Sequence, residues 1–465
     1  MRYSTTELAN PGFFSENRIP AHSDHSFYAG LDELASGKSS FVFSLNGYWK
    51  FHHALNAAQV VEGFEKPEYN CHCWADIPVP AHIQMEGYGH PQYVNVQYPW
   101  DGYQDIEPGQ LPVDFNPVAS YVKYFYLPKT MEGKRVFISF QGAESCIALY
   151  LNGEYVGFSS DSFTPHDFEL TPYLRSGENK IACRVHRWCA GSWLEDQDFM
   201  RFSGLFRDVF LYCIPETHLE DLCVKTLLDD QYKNAELVAD LKLILTEACH
   251  IVIQLMDGER KIIGEECTVM ENETTTSFRL SVNSPTLWSS ENPKLYQLYI
   301  ILKDACGNIR EVVCENVGFR RFELIDRIMH LNGKRIVFKG VNRHDFCSET
   351  GRVTTPDIIR RDLIPMKRNN INAVRTSHYP NNSTLYRLCD ELGLYVIDEN
   401  NMETHGIWEQ IIAGKKDISF ALPGDRPQWR DILLDRVNSI YQRDKNHPSI
   451  LIWSCGNESY GGDVI

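Results

Sequence analysis

Acidic and histidine side chains follow several short apolar segments in the last third of the chain. One such segment, Ile450-Leu-Ile-Trp453, leads directly into small and polar residues that include Asn457 and Glu458. An apolar run of this length predicts a strand buried on both faces, as in a parallel sheet. A carboxylate at the end of a rigid strand can be held within reach of a leaving group and exchange a proton with it. Glu458 is therefore a candidate general acid, and the alternative is an exposed loop glutamate.

Further polar residues occur at the ends of other predicted strands. The whole set consists of His344, His378, Asp398, Glu399, Glu403, His405, Asn457 and Glu458. Each has a structural explanation when taken alone: a histidine can be hydrogen-bonded within the fold, and Asp398 or Glu399 can pair with Arg343 or Arg375. Their joint position favours a site, because the carboxyl ends of barrel strands meet at one mouth.

Two hydrolytic chemistries use such a set. Glycoside hydrolysis needs two carboxylates that flank an oxocarbenium-like transition state. Metal-assisted hydrolysis needs three or more firm ligands, commonly in H-x-H or H-E-x-x-H spacing, and neither pattern occurs in the sequence. The residues alone therefore favour a glycosidase over a metal-dependent hydrolase. A non-catalytic sugar-binding module is a third possibility, since two predicted β-sandwiches come earlier in the chain.

The elements that must position these residues begin at about residue 324, where strands and helices alternate. The predicted strands are 335–341, 371–375, 394–397 and 450–453. The predicted helices are one that starts at Pro356, one that ends at Gly393, and one with Trp429, Leu433, Val437 and Tyr441 on one face. This alternation predicts a (β/α)8 TIM barrel. A whole barrel takes about 250 residues, so we expect 324–465 to be its first half, truncated after strand 4 of a longer protein.

The preceding residues have an all-β pattern. In 37–214, the buried run 136–140 and a hairpin with Asn152-Gly153 at its turn predict a β-sandwich or jelly roll. In 215–323, apolar residues alternate from Leu237 to Leu245, and this alternation predicts an immunoglobulin-like β-sandwich. Residues 1–36 are polar and predict an irregular N-terminal arm.

Composition disfavours two classes of partner and predicts the cellular location. The chain of 465 residues has 45 basic and 62 acidic side chains, a net charge of −17, which disfavours nucleic acid and anionic membranes. It has no apolar run long enough to span a membrane and no signal peptide at its start. The 14 cysteines include no C-x-x-C pair, so we expect free, buried thiols in a reducing cytoplasm.

Four ordered segments carry a family resemblance. They are Gly340-Val-Asn-Arg-His-Asp, Thr376-Ser-His-Tyr-Pro, Asp398-Glu-Asn-Asn-Met-Glu-Thr-His-Gly, and the run from Asn446 to Ser459. These four segments resemble the family 2 glycoside hydrolases, specifically the large cytoplasmic β-galactosidases of bacteria. Upstream, the segments that begin at Ser44, Pro78 and Ser192 resemble the sugar-binding jelly roll of those enzymes. The β-glucuronidases of this family show Asn-Lys-His and Ala-Asn-Glu-Pro at the matching places and are the alternative, together with other family 2 glycosidases.

The resemblance implies a retaining hydrolase of terminal β-galactosides such as lactose, homo-oligomeric at full length. Glu458 would be the general acid/base. The implied sugar-binding residues are Asn116, Asp198, His344, His378 and Asn457. The implied metal ligands are Glu403, His405 and Glu458 for magnesium, and Asp198 for sodium.

Two departures from the family pattern qualify these roles. The nucleophilic glutamate of the family has no counterpart before residue 465, so the chain by itself is expected to be inactive. Asp198 is followed by Phe-Met-Arg, where the family relative has Met-Trp-Arg. This departure affects the implied sodium site and not the implied magnesium site.

Overall fold

The computed structural model of the protein describes residues 4–258, 261–271 and 273–465. The first three residues of the predicted arm lie outside the described residues. The arm contains α1 (Thr5–Leu8), β1 (Ser15–Glu16), β2 (Ser26–Tyr28) and α2 (Leu31–Ser36). It is not irregular throughout, because β1 pairs with 158–159 of the first sandwich and β2 pairs with 312–314 of the second. Strands of two or three residues are too short to show a periodic pattern in the sequence.

The jelly roll consists of two large packed sheets and two small two-stranded sheets. Its strands are β3 (Val42–Ser44), β4 (Gly47–Ala54), β5 (Ala75–Val79), β6 (Gln92–Val94), β7 (Val118–Tyr126), β8 (Arg135–Phe140), β9 (Ala143–Glu144), β10 (Cys146–Leu151), β11 (Glu154–Ser160), β12 (His166–Glu169), β13 (Glu178–His186), β14 (Phe199–Arg201), β15 (Gly204–Leu205) and β16 (Val209–Ile214). One large sheet has the order β1-β11-β10-β13-β7-β4-β5 and the other β12-β8-β16-β3. In the small sheets, β14 pairs with β6 and β15 pairs with β9. The predicted turn between β10 and β11 is present, with positive φ at Asn152 and Gly153.

Seven strands form most of the immunoglobulin-like sandwich. They are β17 (His218–Leu228), β18 (Ala235–Ile244), β19 (Cys249–Met256), β20 (Ile262–Met270), β21 (Thr275–Val282), β22 (Tyr296–Lys303) and β23 (Ile309–Val317). The sheets have the orders β17-β18-β21 and β2-β23-β22-β19-β20. Leu237, Ala239, Leu241 and Leu243 all point into the core between these sheets, as their alternation predicts.

The last part of the chain is an open portion of a TIM barrel, and the predicted fold class is confirmed. A short antiparallel ribbon precedes it, made of β24 (Phe322–Ile325), β25 (Ile328–Leu331) and β26 (Lys334–Arg335). The barrel elements are β27 (Gly340–Arg343), α3 (Pro356–Arg368), β28 (Ala373–Thr376), α4 (Ser383–Leu392), β29 (Tyr395–Glu399), α5 (His405–Ile412), α6 (Arg430–Asp444) and β30 (Ile450–Ser454). The four strands are parallel and neighbour one another in chain order. None of the described helices is long and apolar enough to cross a membrane.

Three details differ from the sequence prediction. The first barrel strand begins at Gly340 and not at Arg335. Arg335 belongs to β26 of the preceding ribbon. On α6, Val437 and Tyr441 are exposed, and the buried face includes Arg436 instead. Trp453 is 40% exposed rather than buried, because β30 is the outer strand of this sheet.

All 14 cysteines are free, as predicted, but only half of them are buried. The other seven are partly or fully exposed. Scattered single cysteines provide no pattern from which their burial could be predicted.

A buried polar network joins the jelly roll to the barrel. Arg436 on α6 donates to Glu195 Oε1 over 2.8 Å. Asn401, just after β29, donates to Asp161 over 2.7 Å and to Glu195 over 2.9 Å. Four tryptophans lie in the adjoining apolar cluster, three of them from the jelly roll and one, Trp429, from the barrel. The jelly-roll loop around Glu195 is therefore held against the barrel mouth.

We expect Arg436→Ala to destabilise the protein by about 3–5 kcal/mol, since it leaves the buried Glu195 carboxylate without its cation. Arg430→Ala on the same helix is the matched control, because Arg430 and its partner Asp431 are both well exposed and such pairs contribute at most about 1 kcal/mol. Urea denaturation followed by fluorescence of the interface tryptophans measures both. Equal midpoints for the two variants would contradict a stabilising interdomain network.

Candidate active site

Glu399 is the centre of a hydrogen-bond network at the barrel mouth. Its carboxylate accepts from Arg375 at 2.6 and 2.9 Å, from His378 Nδ1 at 2.7 Å and from Ser454 at 2.7 Å. Burial opposes its ionisation, but these donors outweigh burial and lower its pKa below the usual value. Arg375 also donates to Asn457 Oδ1 over 3.0 Å. Two predicted sugar-binding residues, His378 and Asn457, are thus oriented by one buried anion.

Asp398 does not reach this mouth. Its side chain accepts a hydrogen bond from Tyr386 of α4 over 2.7 Å, in the layer between the sheet and the helices. Burial and the neighbouring Asp444 raise its pKa well above the usual value. Successive strand residues face opposite sides, so Glu399 and Asp398 cannot both point into the mouth. The expected grouping of Asp398 with the other strand-end residues is wrong.

Glu403, His405 and Glu458 form a compact cluster. One ligand atom from each lies within 4.8 Å of the other two. His405 Nδ1 is 2.8 Å from Glu458 Oε2, yet this nitrogen has no partner in hydrogen-bond geometry among the described residues. Of the part of the chain that the structure describes, this is the one group of three or more such side chains close enough to hold a metal ion.

The surroundings of the Glu403 carboxylate indicate whether a cation fits this cluster. Its side chain is buried, and neither carboxylate oxygen has a hydrogen-bond partner among the described residues. Burial, with the charges of Asp196 and Glu458, raises its pKa to about 8, and the nearby Asn457 side chain opposes this shift only in part. An unpaired buried carboxylate is costly, and a divalent cation removes that cost. The donor set of two carboxylates and one imidazole therefore fits Mg²⁺, which prefers oxygen ligands and retains several waters.

His344 lies on the opposite side of the mouth, between aromatic rings. It stacks on Phe199 of β14 with ring centroids 4.1 Å apart, and Tyr379 Oη lies 3.2 Å from its Nδ1. The His378 ring meets it edge-on at 5.7 Å. Burial, followed by the charge of Arg352, lowers the pKa of His344 to about 4. His344 is therefore a neutral ring that can donate or accept hydrogen bonds.

The two remaining predicted residues come from the jelly roll. Asp198 is exposed beside β14, and Tyr93 of β6 donates to it over 2.5 Å. Asn116 exchanges two hydrogen bonds of 3.0 Å with the backbone of Trp188. It lines a separate groove together with the arm helix α1. Asp198 is thus brought to the mouth by β14, whereas no described contact joins Asn116 to the strand-end residues.

Asp196 is a functional candidate that the sequence prediction missed. Its buried carboxylate accepts from Gly406 N at 2.7 Å and from Arg201 at 2.8 Å. A Cβ atom on Gly406 would come within 2.8 Å of Asp196 Oδ2, so a glycine permits this approach. Asp196 therefore fixes the backbone directly after the cluster residue His405. It is one of three acids in Glu195-Asp-Gln-Asp198, and the sequence alone does not distinguish them.

Three family models match consecutive parts of the chain. They are the sugar binding domain of glycosyl hydrolases family 2 over residues 42–215, the glycosyl hydrolases family 2 domain over 217–320, and the TIM barrel domain of that family over 322–465. Their order agrees with the jelly roll, the immunoglobulin-like sandwich and the open barrel.

Curated relatives match nearly the whole chain. A "Beta-galactosidase" of Halalkalibacterium halodurans is 52% identical over 98% of this chain and 45% of its own length. A "Beta-galactosidase" of Clostridium acetobutylicum is 47% identical over 98% of this chain and 51% of its own length. A "Beta-galactosidase large subunit" of Latilactobacillus sakei is 39% identical over 98% of this chain and 74% of its own length. The chain thus spans about half the length of the first two relatives.

Solved structures share the fold at lower identity. A β-glucuronidase of Bacteroides uniformis superposes with a TM-score of 0.72 at 21% identity, over 89% of this chain and 46% of its own. A β-glycosidase of Bacteroides vulgatus has a TM-score of 0.70 at 25% identity, over 90% of this chain and 50% of its own. From the three consecutive domain matches and the 39% identity across most of a large subunit, the chain belongs to glycosyl hydrolases family 2.

Proposed function

We propose that this chain is the front part of a retaining β-galactosidase, which releases terminal β-D-galactose from galactosides such as lactose. The observation that carries the proposal is the environment of Glu458. Its side chain is 47% exposed at the end of β30, whereas Glu399 and Glu403 are buried. Among these acids at the mouth, Glu458 alone can meet a substrate oxygen directly. The relatives named "Beta-galactosidase" supply the sugar class.

In the proposed reaction, Glu458 protonates the departing glycosidic oxygen and then accepts a proton from the attacking water. His378, held by Glu399, and Asn457, held by Arg375, donate hydrogen bonds to hydroxyl groups of the sugar. Neutral His344 presents a ring nitrogen on the other side. Hydrogen bonds from such fixed donors become stronger in the transition state, and the donors do not have to reorganise.

Glu403, His405 and Glu458 would hold Mg²⁺. The ion, when bound, would lower the pKa of neighbouring groups and stabilise negative charge. Glu403 and His405 would also fix the side chain of Glu458, because they share its cluster. For sodium, the described residues offer only Asp198 and its Tyr93 partner near the mouth. This set does not fit a closed sodium site, and no step depends on it.

Hydrolysis requires a second free carboxylate, about 5–5.5 Å from the first in a retaining enzyme. Glu399 is occupied by three side-chain donors and Glu403 belongs to the metal cluster. We therefore propose that the nucleophile comes from polypeptide beyond residue 465 and that the chain alone is inactive. The free cysteines support a reducing, cytoplasmic location.

The substrate assignment is tested with the nitrophenyl β-galactoside and the matching β-glucuronide, using a polypeptide that contains this chain and a complete barrel. We expect turnover of the galactoside. Turnover of the glucuronide alone would assign the protein to the β-glucuronidases of the family instead. Galactose binding without turnover of either compound would favour a sugar-binding module.

Replacing Glu458 by Ala should slow substrates with poor leaving groups by about 10²–10⁴-fold, since only these need protonation by a general acid. Activated aryl galactosides should form the glycosyl-enzyme at nearly the normal rate. Asp431→Ala, which removes an exposed acid on α6, is the control and should retain activity. Added azide should rescue the Glu458 variant with a β-galactosyl azide product. An α-configured azide would identify Glu458 as the nucleophile and refute its assigned role.

Metal binding is measured on the 465-residue chain with Mn²⁺ as a paramagnetic substitute for Mg²⁺. Glu403→Gln keeps the side-chain volume and removes one charged ligand. We expect the Kd to rise at least about tenfold, since the loss of even a residue that only holds a ligand in place commonly costs about 10–100-fold in metal affinity. Asp431→Asn should leave the Kd unchanged, because Asp431 is exposed on α6 and lies outside the cluster. Identical affinities for the wild type and Glu403→Gln would refute the site.

A further inference from the structure

A polar cavity of about 220 Å³ lies between the immunoglobulin-like sandwich and the turn that connects α6 to β30. The described residues that line it include four basic side chains and no acidic one: Lys225, Arg320, Lys445 and His447. A water molecule takes about 30 Å³ in the liquid, so the cavity can hold one small oxyanion with several waters. None of these residues belongs to the candidate active site.

Three of the basic groups have acidic partners outside the lining. Lys225 pairs with Asp240 at 2.8 Å, Lys445 with Asp221 at 2.6 Å, and His447 Nδ1 with Asp390 at 2.6 Å. Burial opposes the charged form of His447, but Asp390 outweighs this effect and raises its pKa to about 9. Each of these three pairs is therefore neutral overall near pH 7.

Arg320 is the exception, because it has no ion-pair partner among the described residues. Its Nε donates to Pro448 O over 3.0 Å and its Nη2 to Ile450 O over 2.8 Å. Nη1 has no protein acceptor in the part of the chain that the structure describes. Burial lowers the pKa of Arg320 to about 10, and the charge of Asp390 opposes that shift. The guanidinium thus remains charged at neutral pH, and carbonyl dipoles alone do not cancel its charge.

We propose that this cavity is a binding site for a small tetrahedral oxyanion, held by Arg320 and Lys225 at the junction of the immunoglobulin-like sandwich and the barrel. One negative charge would balance the one unpaired cation. A guanidinium presents planar N–H groups that match phosphate oxygens, and a lysine adds a point charge. A free phosphate ion and the phosphate group of a small ester share this chemistry.

Occupation of the site would stabilise the domain junction. Arg320 already contacts the carbonyls of Pro448 and Ile450 at the start of β30, and β30 leads to Glu458. An anion bridging Arg320 and Lys225 would join the strand β17 to this same turn. We therefore expect the ligand to raise the thermal stability of the chain without contacting the barrel mouth.

The test measures inorganic phosphate binding to the 465-residue chain by ³¹P NMR and by the shift in Tm, against sodium chloride at equal ionic strength. Arg320 is unsuitable as the first variant, because its loss also frees two carbonyls. Lys225→Met is used instead, since Lys225 is 55% exposed. Lys242→Met is the matched control: Lys242 is 58% exposed, pairs with Glu220 and lies on the neighbouring strand β18, outside the cavity.

We expect saturable phosphate binding whose Kd rises about tenfold in Lys225→Met, the loss of one charge-assisted contact, and stays unchanged in Lys242→Met. A hexose phosphate forms a second arm, and tighter binding of this ester would identify a phosphorylated small molecule as the natural ligand. Phosphate also stabilises proteins by exclusion from their surfaces, but that effect is neither saturable nor specific to Lys225. Equal responses of the two lysine variants, or equal effects of phosphate and chloride, would refute the site.

Discussion

Two backbone hydrogen bonds between the jelly roll and the barrel hold the candidate site together. Glu403 N donates to Leu194 O over 2.8 Å, and Asp196 N donates to Glu403 O over 3.1 Å. They make a short parallel bridge between Glu195 and Glu403. Backbone contacts of this kind fix the path of both loops regardless of side-chain rotamer. The cluster of Glu403, His405 and Glu458 is therefore a product of two domains, although all three side chains come from the barrel.

The carboxylates at this junction are in two opposite electrostatic states. Glu399 is buried with three side-chain donors, so its charge is stable and it acts as a fixed anchor for Arg375 and His378. Glu403 is buried, neither of its oxygens has a hydrogen-bond partner among the described residues, and the nearby Asn457 offsets the effect of burial only in part. The described side chains therefore stabilise its charge poorly. The contrast explains how one mouth can contain both a permanent anion and a group that is completed by a cation. Of the three glutamates Glu399, Glu403 and Glu458, only Glu458 has access to solvent.

The sequence predicts the fold class well because the relevant patterns are local. Alternation along β18, the turn at Asn152-Gly153 and the Gly393 cap of α4 each depend on a few adjacent residues. The positions of Asp398 and Asn116 relative to the barrel mouth do not follow from such local patterns. The direction of a side chain depends on strand phase and on partners far along the chain, such as Tyr386 and Trp188. Asp196 acts through the Gly406 amide, 210 residues away, and no motif reveals such a contact.

The pairing of the N-terminal arm affects the order in which the molecule can be completed during synthesis. Strand β2 lies at residues 26–28, but its partner in the second sandwich is at 312–314. At about 5–20 residues per second, the ribosome reaches that partner roughly 15–60 s after it has made β2. Throughout this interval β2 lacks its partner strand, whereas the partner of β1 is made after only about 140 further residues. The arm therefore attaches to the jelly roll first, and its attachment to the second sandwich is a late event that depends on the growing chain.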